Sequence, residues 1–507
     1  MKIRFQRMAA CLTLCALLFG LGAAPASAAG FQDVPAGHWA AESIQRCVSL
    51  GFFQGKSADR FGLGEDMTRS AFAVVLCRFF GWEAESSGRT VFQDVPADAW
   101  YAGAVEATYD HGAVTDQRDD FRPNDPITRE ELAVMLVRAL GYGTMAGLVQ
   151  DLEMPFTDVT TNAGYVTMAY DLGLMSGTTS TTFAPGETAT REQVAVILMR
   201  LYDKLHGAAL ETLAVVTAPA VGEELADMTG LDEAAIPAGR LIGVGNQPSV
   251  TATIPQETAA QMRDAARAAG AEALLYVEGG VSALDADLAE TAAVLAQAVS
   301  DDGYDGLILD IPQLDRTDRR AMTQLAQELD EVLADTPLYL VVEAPAWAGE
   351  SYDGYDYAAL AQEADRLILR IGSYENLVGD FPTAPVNPLE EIYYTLATLR
   401  DQVGMDQLTL MLDTAPTVWN TRGQQVTLSE EELTELLASG EQHYSSRYAC
   451  AYLIGADENE NALVAWYLTQ QSAQERIQLA QAFGVGQLCL ADWNATVQGW
   501  FADTETE

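Results

Sequence analysis

The sequence has little positive charge and few of the side chains that hold metal ions. Its 507 residues include 28 Lys and Arg against 73 Asp and Glu, a formal net charge of -45. Because binding to polyphosphates depends on Lys and Arg, this balance excludes a nucleic-acid partner. The acids are spread along the chain and indicate a solvated, extracellular surface. Scattered histidines without ligand spacing predict no metal site and no cofactor: His38, His111, His206 and His443.

Long apolar runs are confined to the amino terminus. Residues 1–28 have the pattern of a secretory signal peptide, with a basic start, the apolar stretch CLTLCALLFGLG and the cleavage motif Ala26-Ser27-Ala28. The apolar stretch is too short to span a bilayer comfortably, which disfavours the alternative of a membrane anchor. We therefore predict an exported protein without a transmembrane anchor after cleavage.

Cysteine is scarce as well. Four cysteines remain after the predicted cleavage, at positions 47, 77, 450 and 489. Exported proteins can form disulfides, so the pairs Cys47–Cys77 and Cys450–Cys489 are one expectation. Buried free thiols are the other expectation, and the sequence leaves both open.

A repeated unit fills the first part of the chain. FQDVPAGHWA begins at Phe31, FQDVPADAWY at Phe92 and FTDVTTNAGY at Phe156, at spacings of 61 and 64 residues. Each unit continues with a helical pattern, a loop containing Phe, and a Thr-Arg pair that opens a second apolar helix. The expected N-caps of these second helices are Thr68, Thr128 and Thr190.

These units resemble S-layer homology domains over residues 31–205, and we expect their boundaries at 29–85, 90–145 and 154–206. The resemblance implies all-α repeats that anchor an exported protein to an anionic, often pyruvylated, secondary cell-wall polymer. An arginine beside the free N–H groups of a helix N-terminus suits an acidic sugar. The resemblance thus implies polymer contact by Arg69, Arg129 and Arg191, with Asp33, Asp94, Asp158, Trp39 and Trp100 as supporting residues.

Each unit departs from that pattern at one place. In the first, Ser70 follows the arginine where Ala-Glu or Glu-Glu is usual. In the second, Thr115-Asp116 lies near where a Gly is usual, and in the third, Tyr165 stands in place of the tryptophan. The aspartates and tryptophans have a plainer alternative role, which is to fix the turn and the core. We favour that role for them and polymer contact for the arginines.

The second part of the chain alternates short apolar runs with helical patterns. About eight such alternations predict a (β/α)8 barrel over residues 210–507, with a small α+β insertion at about 419–466. An open doubly wound sheet is the alternative, but no G-x-G-x-x-G follows the first strand. The predicted strands are 213–217, 241–245, 273–277, 306–310, 338–343, 366–372, 408–412 and 486–493.

The stretch GYDGLILDIPQL, residues 303–314, carries the clearest signature in this part. An acidic residue at the end of a buried strand needs a partner or a function, and Asp310 ends the run GLILD. The stretch resembles the D-G-x-x-x-D-x-E strand of glycoside hydrolase family 18, the chitinase-like barrels. Asp305, Gly306 and Asp310 match, Ile308 replaces a further Asp, and Pro312 occupies the position of the catalytic Glu.

The resemblance implies a substrate-assisted glycosidase mechanism whose proton donor is missing. In that mechanism Asp310 would orient the acetamido group of the substrate, and Tyr374 would support the intermediate. Glu343, at the end of a neighbouring strand, is the candidate for a substitute acid. The remaining candidates for contact with a peptidoglycan or chitin-like glycan are Asp305, Glu278, Trp347, Trp419, Trp466 and Trp493.

Three hypotheses follow for the whole chain. The first is a wall-anchored, S-layer-associated protein whose impaired barrel binds glycan. The second is an active cell-wall glycosidase that uses an unusual acid, and the third is a structural envelope protein whose barrel binds no sugar. The absence of the acid at Pro312 favours the first and the third.

Overall fold

The computed structural model describes residues 31–89, 91–115, 120–207, 210–220, 223–244, 247–347, 351–372, 383, 385–457, 459–494 and 497–498. The predicted signal peptide and Tyr374 lie outside these residues. The chain divides into two compact units, Met1–Gly207 and Ala208–Glu507. No helix within the described ranges has both the length and the apolar character needed to cross a membrane.

The first unit contains three helix pairs, one from each repeat. The second helix of each pair starts directly after Thr68, Thr128 or Thr190, whose backbones are extended, so the predicted N-cap positions are confirmed. Thr128 and Glu131 form a full capping box. The helices are α1 (Ala41–Ser49), α2 (Arg69–Phe80), α3 (Ala102–Asp110), α4 (Arg129–Ala139), α5 (Gly143–Leu148), α6 (Ala163–Asp171) and α7 (Arg191–Leu205).

The three repeats meet in a closed ring of backbone hydrogen bonds. Met67 N donates to Ala189 O at 2.9 Å, Ile127 N to Met67 O at 2.8 Å, and Ala189 N to Ile127 O at 3.0 Å. All three side chains are fully buried. Each repeat therefore supplies one extended residue to a common centre, and the second helices leave this centre with the same geometry.

The second unit contains a closed barrel of eight parallel strands. Its strands follow one another around the barrel in the order β1, β2, β4, β5, β6, β7, β8 and β14, and β14 pairs with β1. Apolar side chains such as Leu274, Ile308 and Ile368 fill the interior. The strands are β1 (Glu211–Val215), β2 (Glu233–Val244), β3 (Gln247–Ala252), β4 (Glu272–Gly279), β5 (Gly306–Asp310), β6 (Leu338–Glu343), β7 (Arg366–Arg370), β8 (Leu408–Leu412), β9 (Thr417–Asn420), β10 (Gln425–Val426), β11 (Glu441–Ser445), β12 (Cys450–Ala456), β13 (Ala462–Tyr467) and β14 (Gln487–Leu490).

The second barrel strand begins earlier than we predicted. Residues 233–236 pair with β4, and the first three of them also pair with β1. Of the predicted residues 241–245, those up to Val244 lie in the outer part of β2, which forms a hairpin with β3, and residue 245 lies outside the described residues. The pairing with β4 is irregular between Ile236 and Gly239, where Pro237 interrupts the ladder. A proline inside a strand argues against a strand by sequence, and a bulge is where it is tolerated.

Helices surround the barrel, and the insertion forms a subdomain of its own. The insertion's five antiparallel strands follow the order β10, β9, β13, β12 and β11 and cover one helix, as the α+β prediction required. Arg476, fully buried, joins the insertion to the barrel by donating to the carbonyl oxygens of Asn387 and Tyr448. The helices are α8 (Gln256–Ala268), α9 (Leu288–Asp302), α10 (Arg319–Leu333), α11 (Tyr357–Glu363), α12 (Leu389–Leu399), α13 (Glu430–Ser439) and α14 (Gln470–Phe483).

The four cysteines among the described residues are buried free thiols. Cys47 Sγ lies 3.4 Å from Ala195 O, and Cys77 Sγ lies 3.5 Å from Ala104 O. The structure therefore selects the free-thiol expectation over the disulfide one.

Candidate functional sites: the repeat junctions and the barrel mouth

Each predicted polymer-binding arginine lies at a junction between two repeats. The Nε atom donates to the carbonyl oxygen of a loop phenylalanine in the next repeat around the ring, and the guanidinium also lies over that phenylalanine's ring at 4.6 to 5.0 Å. We call these the Arg69, Arg129 and Arg191 junctions. The Nε to carbonyl distances are 2.7 Å for Arg69 to Phe121, 2.9 Å for Arg129 to Phe183 and 3.0 Å for Arg191 to Phe61.

The predicted supporting aspartates hold the phenylalanine loops. Asp94 accepts from the backbone N–H groups of Phe121 and Arg122 at 2.7 and 2.6 Å, and Asp33 and Asp158 make the equivalent bonds in their own repeats. Hydrogen bonds from the loop backbone lower the pKa of Asp158. The held residue has a left-handed backbone in every repeat, at Gly62, Arg122 and Ala184. The aspartates therefore aim the loop carbonyls at the arginines, which is the plainer role we favoured.

The ends of the arginines differ between the junctions. Arg129 Nη2 donates to Ser176 O at 2.6 Å and Arg191 Nη2 to Gln54 O at 2.9 Å, while Nη1 of either has no hydrogen bond within the described chain. Arg69 Nη1 instead pairs with Glu131 at 3.0 Å. Burial lowers the pKa of all three guanidinium groups. Arg129 and Arg191 each keep a donor for an anionic group.

The predicted supporting tryptophans lie at the surface. Trp39 is 63% and Trp100 is 72% exposed, so the core role that we favoured for them is wrong. In the structure, Gly164 of the third repeat is equivalent to Gly103 of the second repeat. A Cβ added to Gly164 or to Gly103 would lie only 1.7 or 2.0 Å, respectively, from a carbonyl oxygen of the preceding segment. With the repeats aligned on these glycines, the third repeat has no aromatic residue at the tryptophan position. Our placement of Tyr165 opposite the tryptophans is therefore wrong, and its hydroxyl accepts from Arg138 Nε at 3.0 Å.

At the mouth of the barrel, the carboxyl ends of neighbouring strands bring two predicted acids together through an arginine. Asp310 is 3% and Glu343 is 7% exposed. Arg370 Nη1 donates to Asp310 Oδ1 at 3.2 Å and to Glu343 Oε1 at 3.1 Å, and its Nη2 also pairs with Asp310. Tyr276 donates its hydroxyl to the same Asp310 carboxylate. Asp310 is therefore held from two sides.

The titration of this cluster follows from burial and from its charges. Burial raises the pKa of Glu343, and the nearby Arg370 offsets this only in part. Burial alone would lower the pKa of Arg370, but the hydrogen bond and charge of Asp310 raise it above the ordinary range. Burial and Asp310 together raise the pKa of Tyr276. Arg370 thus keeps its positive charge, and burial favours the protonated form of Glu343.

Sequence reasoning missed Arg370 and Tyr276. Arg370 comes two positions after Ile368 in its strand, and Tyr276 comes two positions after Leu274. Both Ile368 and Leu274 lie in the barrel core, so Arg370 and Tyr276 occupy inward-facing positions. A charged residue at an inward-facing position of a buried strand was therefore an available signal, because an inward charge needs a partner.

The structure separates Asp305 from the mouth. It precedes β5, at the opposite end of the barrel from Asp310, where it pairs with Arg267 at 2.9 Å and accepts from Ala273 N. The glycan-binding prediction for Asp305 is wrong because the five residues of strand β5 separate it from Asp310 at the barrel mouth. Glu278 lies at the carboxyl end of β4, is exposed, and pairs with Arg240 at 3.3 Å.

The predicted sugar-stacking tryptophans also separate. Trp347 follows β6 at the mouth and is 39% exposed, and Trp419 is half-buried in the insertion. Trp466 and Trp493 are buried, with Nε1 donating to Thr383 Oγ1 and Asp227 O respectively. The stacking prediction is wrong for these two, since no ring face is available. The described residues contain no cluster of His, Cys, Asp and Glu fit to hold a metal ion.

Comparison with known proteins matches the repeats to a family. The S-layer homology domain model matches residues 30–73, 91–133 and 155–195. An endoglucanase of Bacillus sp. strain KSM-635 is 33% identical over 34% of this chain and 19% of its own length. An S-layer protein of Bacillus thuringiensis subsp. finitimus is 29% identical over 38% of this chain and 24% of its own. The chain spans between 10% and 25% of the length of such curated relatives.

The barrel has a counterpart among solved structures. The Bacillus cereus spore cortex-lytic enzyme SleL is similar over 58% of this chain and 73% of its own, with a TM-score of 0.50 and 14% identity. At this identity the likeness concerns the fold alone. The chain therefore carries three S-layer homology domains, which make it an extracellular, cell-wall-associated protein, followed by a TIM barrel whose fold is similar to that of SleL.

Proposed function

We propose that the three repeats anchor the protein by binding an anionic secondary cell-wall polymer through the arginine junctions. The observation that carries this proposal is the free Nη1 donor of Arg129 and of Arg191. Each guanidinium is half-buried, is held by neutral carbonyl oxygens, and lies at the first turn of a helix, where the dipole also favours an anion. A carboxylate on a sugar would therefore find an oriented cation.

The anchoring proposal is tested by binding of the full chain to purified Gram-positive-type cell walls. We expect Arg129→Ala with Arg191→Ala to lower binding by at least about tenfold, since a charge-assisted hydrogen bond contributes roughly 1.5–3 kcal/mol. Arg138→Ala is the matched control, because its Nε donates to Tyr165 away from the junctions. Unchanged binding by the double variant would contradict the proposal.

We further propose that the barrel binds an N-acetylglucosamine-containing glycan, such as peptidoglycan or a chitin-like chain, with little or no hydrolysis. Two features support impaired catalysis: Pro312 cannot donate a proton, and Arg370 holds the Asp310 carboxylate. General acid catalysis contributes about 10²–10⁴-fold in rate, so its loss leaves little turnover. The exposed Trp347 at the mouth supports retained binding, because an accessible indole can stack on a sugar ring.

The barrel proposal is tested with the full chain on an N-acetylglucosamine oligomer and on purified peptidoglycan. We expect binding without detectable turnover, and weaker binding after Trp347→Ala. Pro312→Glu should remain inactive, because Arg370 still holds Asp310, and turnover by this variant would show that Arg370 does not prevent catalysis. Failure to bind either glycan would favour the third hypothesis, a structural envelope protein.

A second candidate function is an active cell-wall glycosidase that uses Glu343 as its acid. The observation that favours it is the raised pKa of Glu343 at the barrel mouth, since a general acid must keep its proton near the working pH. Turnover by the wild type that disappears in Glu343→Gln would establish this function. Turnover that survives Glu343→Gln would exclude Glu343 as the acid.

A further inference from the structure

We infer that Glu131 is a built-in counter-ion that closes the Arg69 junction to the polymer, so that only the Arg129 and Arg191 junctions bind its acidic sugar. The inference rests on the proposed anchoring function, and it specifies which of the three junctions bind the polymer. It depends on one residue position, the third of the second helix in each repeat. That position is Ala71 in the first repeat, Glu131 in the second and Gln193 in the third.

Both carboxylate oxygens of Glu131 are engaged. Oε2 accepts from Thr128 N at 3.0 Å, which fixes the side chain as part of the capping box. Oε1 pairs with Arg69 Nη1 at 3.0 Å and also with Arg122 Nη2. The carboxylate is thus placed by its own helix at the spot where a ligand carboxylate would meet Arg69.

The charges around the Arg69 junction are balanced. Arg69 and Arg122 are its two cations, Glu131 pairs with both, and Asp125 lies 3.7 Å from Arg122. Arg122 and Glu131 have no charged counterpart at the other junctions. Ala184 and Gln193 stand in their places beside Arg129, and Gly62 and Ala71 beside Arg191. Of the three predicted polymer-binding arginines, Arg69 is therefore the one that already has a carboxylate within ion-pair distance in the described chain.

The other two arginines have no carboxylate within ion-pair distance in the described chain. Near Arg191, the carboxylate of Glu65 is paired with Lys56 and Arg60 instead. Gln193 uses its Oε1 to accept from Thr190 N at 3.0 Å, the same capping contact that Glu131 makes, without a negative charge. The helix start is therefore preserved by Gln, and the carboxylate of Glu131 is not needed for capping.

Entry of an anion at the Arg69 junction would require displacement of Glu131. The displaced carboxylate would lose its ion pairs with Arg69 and Arg122 but keep its hydrogen bond to Thr128 N. The side chain of Arg69 is only 11% exposed, so solvent would replace the lost ion pair poorly. Breaking a partly buried ion pair by removing one partner is strongly unfavourable. A sugar carboxylate therefore competes there against an internal ligand that is already in position.

The test uses the full chain and a short pyruvylated fragment of secondary cell-wall polymer, with affinity and stoichiometry measured by calorimetry. We expect two fragments bound per chain. Arg129→Ala and Arg191→Ala should each remove one binding event, whereas Arg69→Ala should leave affinity within about twofold. Three equivalent sites in the wild type, or a loss in Arg69→Ala equal to that in Arg129→Ala, would overturn the inference while leaving the anchoring function intact.

A gain-of-binding variant makes the test independent of misfolding. Glu131→Gln keeps the capping contact, as Gln193 does in the third repeat, and removes the competing charge. We expect its stoichiometry to rise from two to three. Glu130→Gln is the matched control, because Glu130 contacts Thr161 at 2.8 Å and no arginine, and it should leave two sites. A stoichiometry of two in Glu131→Gln would overturn the inference, and no binding by the wild type would overturn the anchoring function itself.

Discussion

The two units of the chain use arginine in opposite ways. At the Arg129 and Arg191 junctions the guanidinium donates to neutral carbonyl oxygens, so no paired carboxylate cancels its charge. In the barrel, Arg370 lies between Asp310 and Glu343, so one positive charge faces two carboxylates. An arginine held by neutral acceptors still attracts an anion, whereas one shared by two carboxylates serves only to hold them.

The surrounding charge follows the same division. Residues 31–207 contain 13 Lys and Arg against 24 Asp and Glu, while residues 208–507 contain 12 against 49. All twelve positive residues of the second part are arginine. Both parts have a net negative charge, but an anionic polymer would meet less electrostatic repulsion from the first part than from the second.

Replacement of Arg370 should give the largest change in stability. Arg370→Met leaves Asp310 and Glu343 buried without their cation, and removal of one partner from a buried ion pair costs about 3–5 kcal/mol. We expect the barrel to unfold at lower urea concentration, measured by hydrogen exchange of peptides from each unit. Arg240→Met removes the exposed pair with Glu278 and should cost less than about 1 kcal/mol. Equal effects would mean that the Arg370 cluster is not the buried network described above.

The equivalent experiment in the first unit removes a loop anchor. Asp94→Ala leaves the N–H groups of Phe121 and Arg122 without their acceptor and releases the left-handed backbone of Arg122. We expect the free energy of unfolding of the first unit to fall by about 2–3 kcal/mol, because the charge-assisted hydrogen bonds that the Asp94 carboxylate accepts are lost. Asp98→Ala, in an exposed turn nearby, is the control and should be neutral. A neutral Asp94→Ala would show that the loop keeps its shape without the aspartate.

The two units should respond to pH with opposite sign at two glutamates. Contacts with Thr128, Arg69 and Arg122 outweigh burial and lower the pKa of Glu131, so its contribution is present above the unfolded value of about 4.3 and is lost as the pH falls through the lowered pKa. Burial raises the pKa of Glu233, so its contribution is present below about 4.3 and is lost as the pH rises through the raised pKa.

The measurement is urea unfolding between pH 3 and pH 7, with hydrogen exchange to separate the units. In the first unit, Glu131→Gln should reduce the decrease in the free energy of unfolding at acidic pH. In the barrel, Glu233→Gln should reduce the decrease in the free energy of unfolding as the pH rises towards neutral. Glu233 accepts from Tyr339 OH at 2.6 Å and from Gln487 Nε2 at 2.8 Å. Slopes of the same sign in both units would contradict the assignment.

The smallest expected effect concerns the left-handed loop residue of the third repeat. Ala184 has φ +60°, a conformation that costs an L-residue roughly 1–2 kcal/mol, and the equivalent residue of the first repeat is Gly62. Ala184→Gly should remove this cost. The greater freedom of glycine in the unfolded chain offsets about 0.5–1 kcal/mol of that gain. We expect a slight gain in thermal stability. Ala97→Gly, in an exposed turn without positive φ, should give no gain.

Repeats, caps and most strands could be predicted because they depend on local signals. The Thr-Arg pairs fixed the starts of three helices, and seven of the eight barrel strands were placed within a few residues. The second strand was misplaced because Pro237 and small residues weaken its local signal, while its pairing with β1 and β4 comes from distant parts of the chain. Trp466 and Trp493 were misjudged because an aromatic residue has the same sequence signal in a core as on a binding surface.

The sequence by itself determined the repeat architecture and the barrel alternation, since these depend on residue identity and spacing. Tertiary structure alone decided which charges meet. Arg370 reaches Asp310 across 60 positions, and Arg69 reaches Glu131 across 62. Coulomb attraction acts over a few ångströms of space, and only the folded chain brings such distant residues within that range.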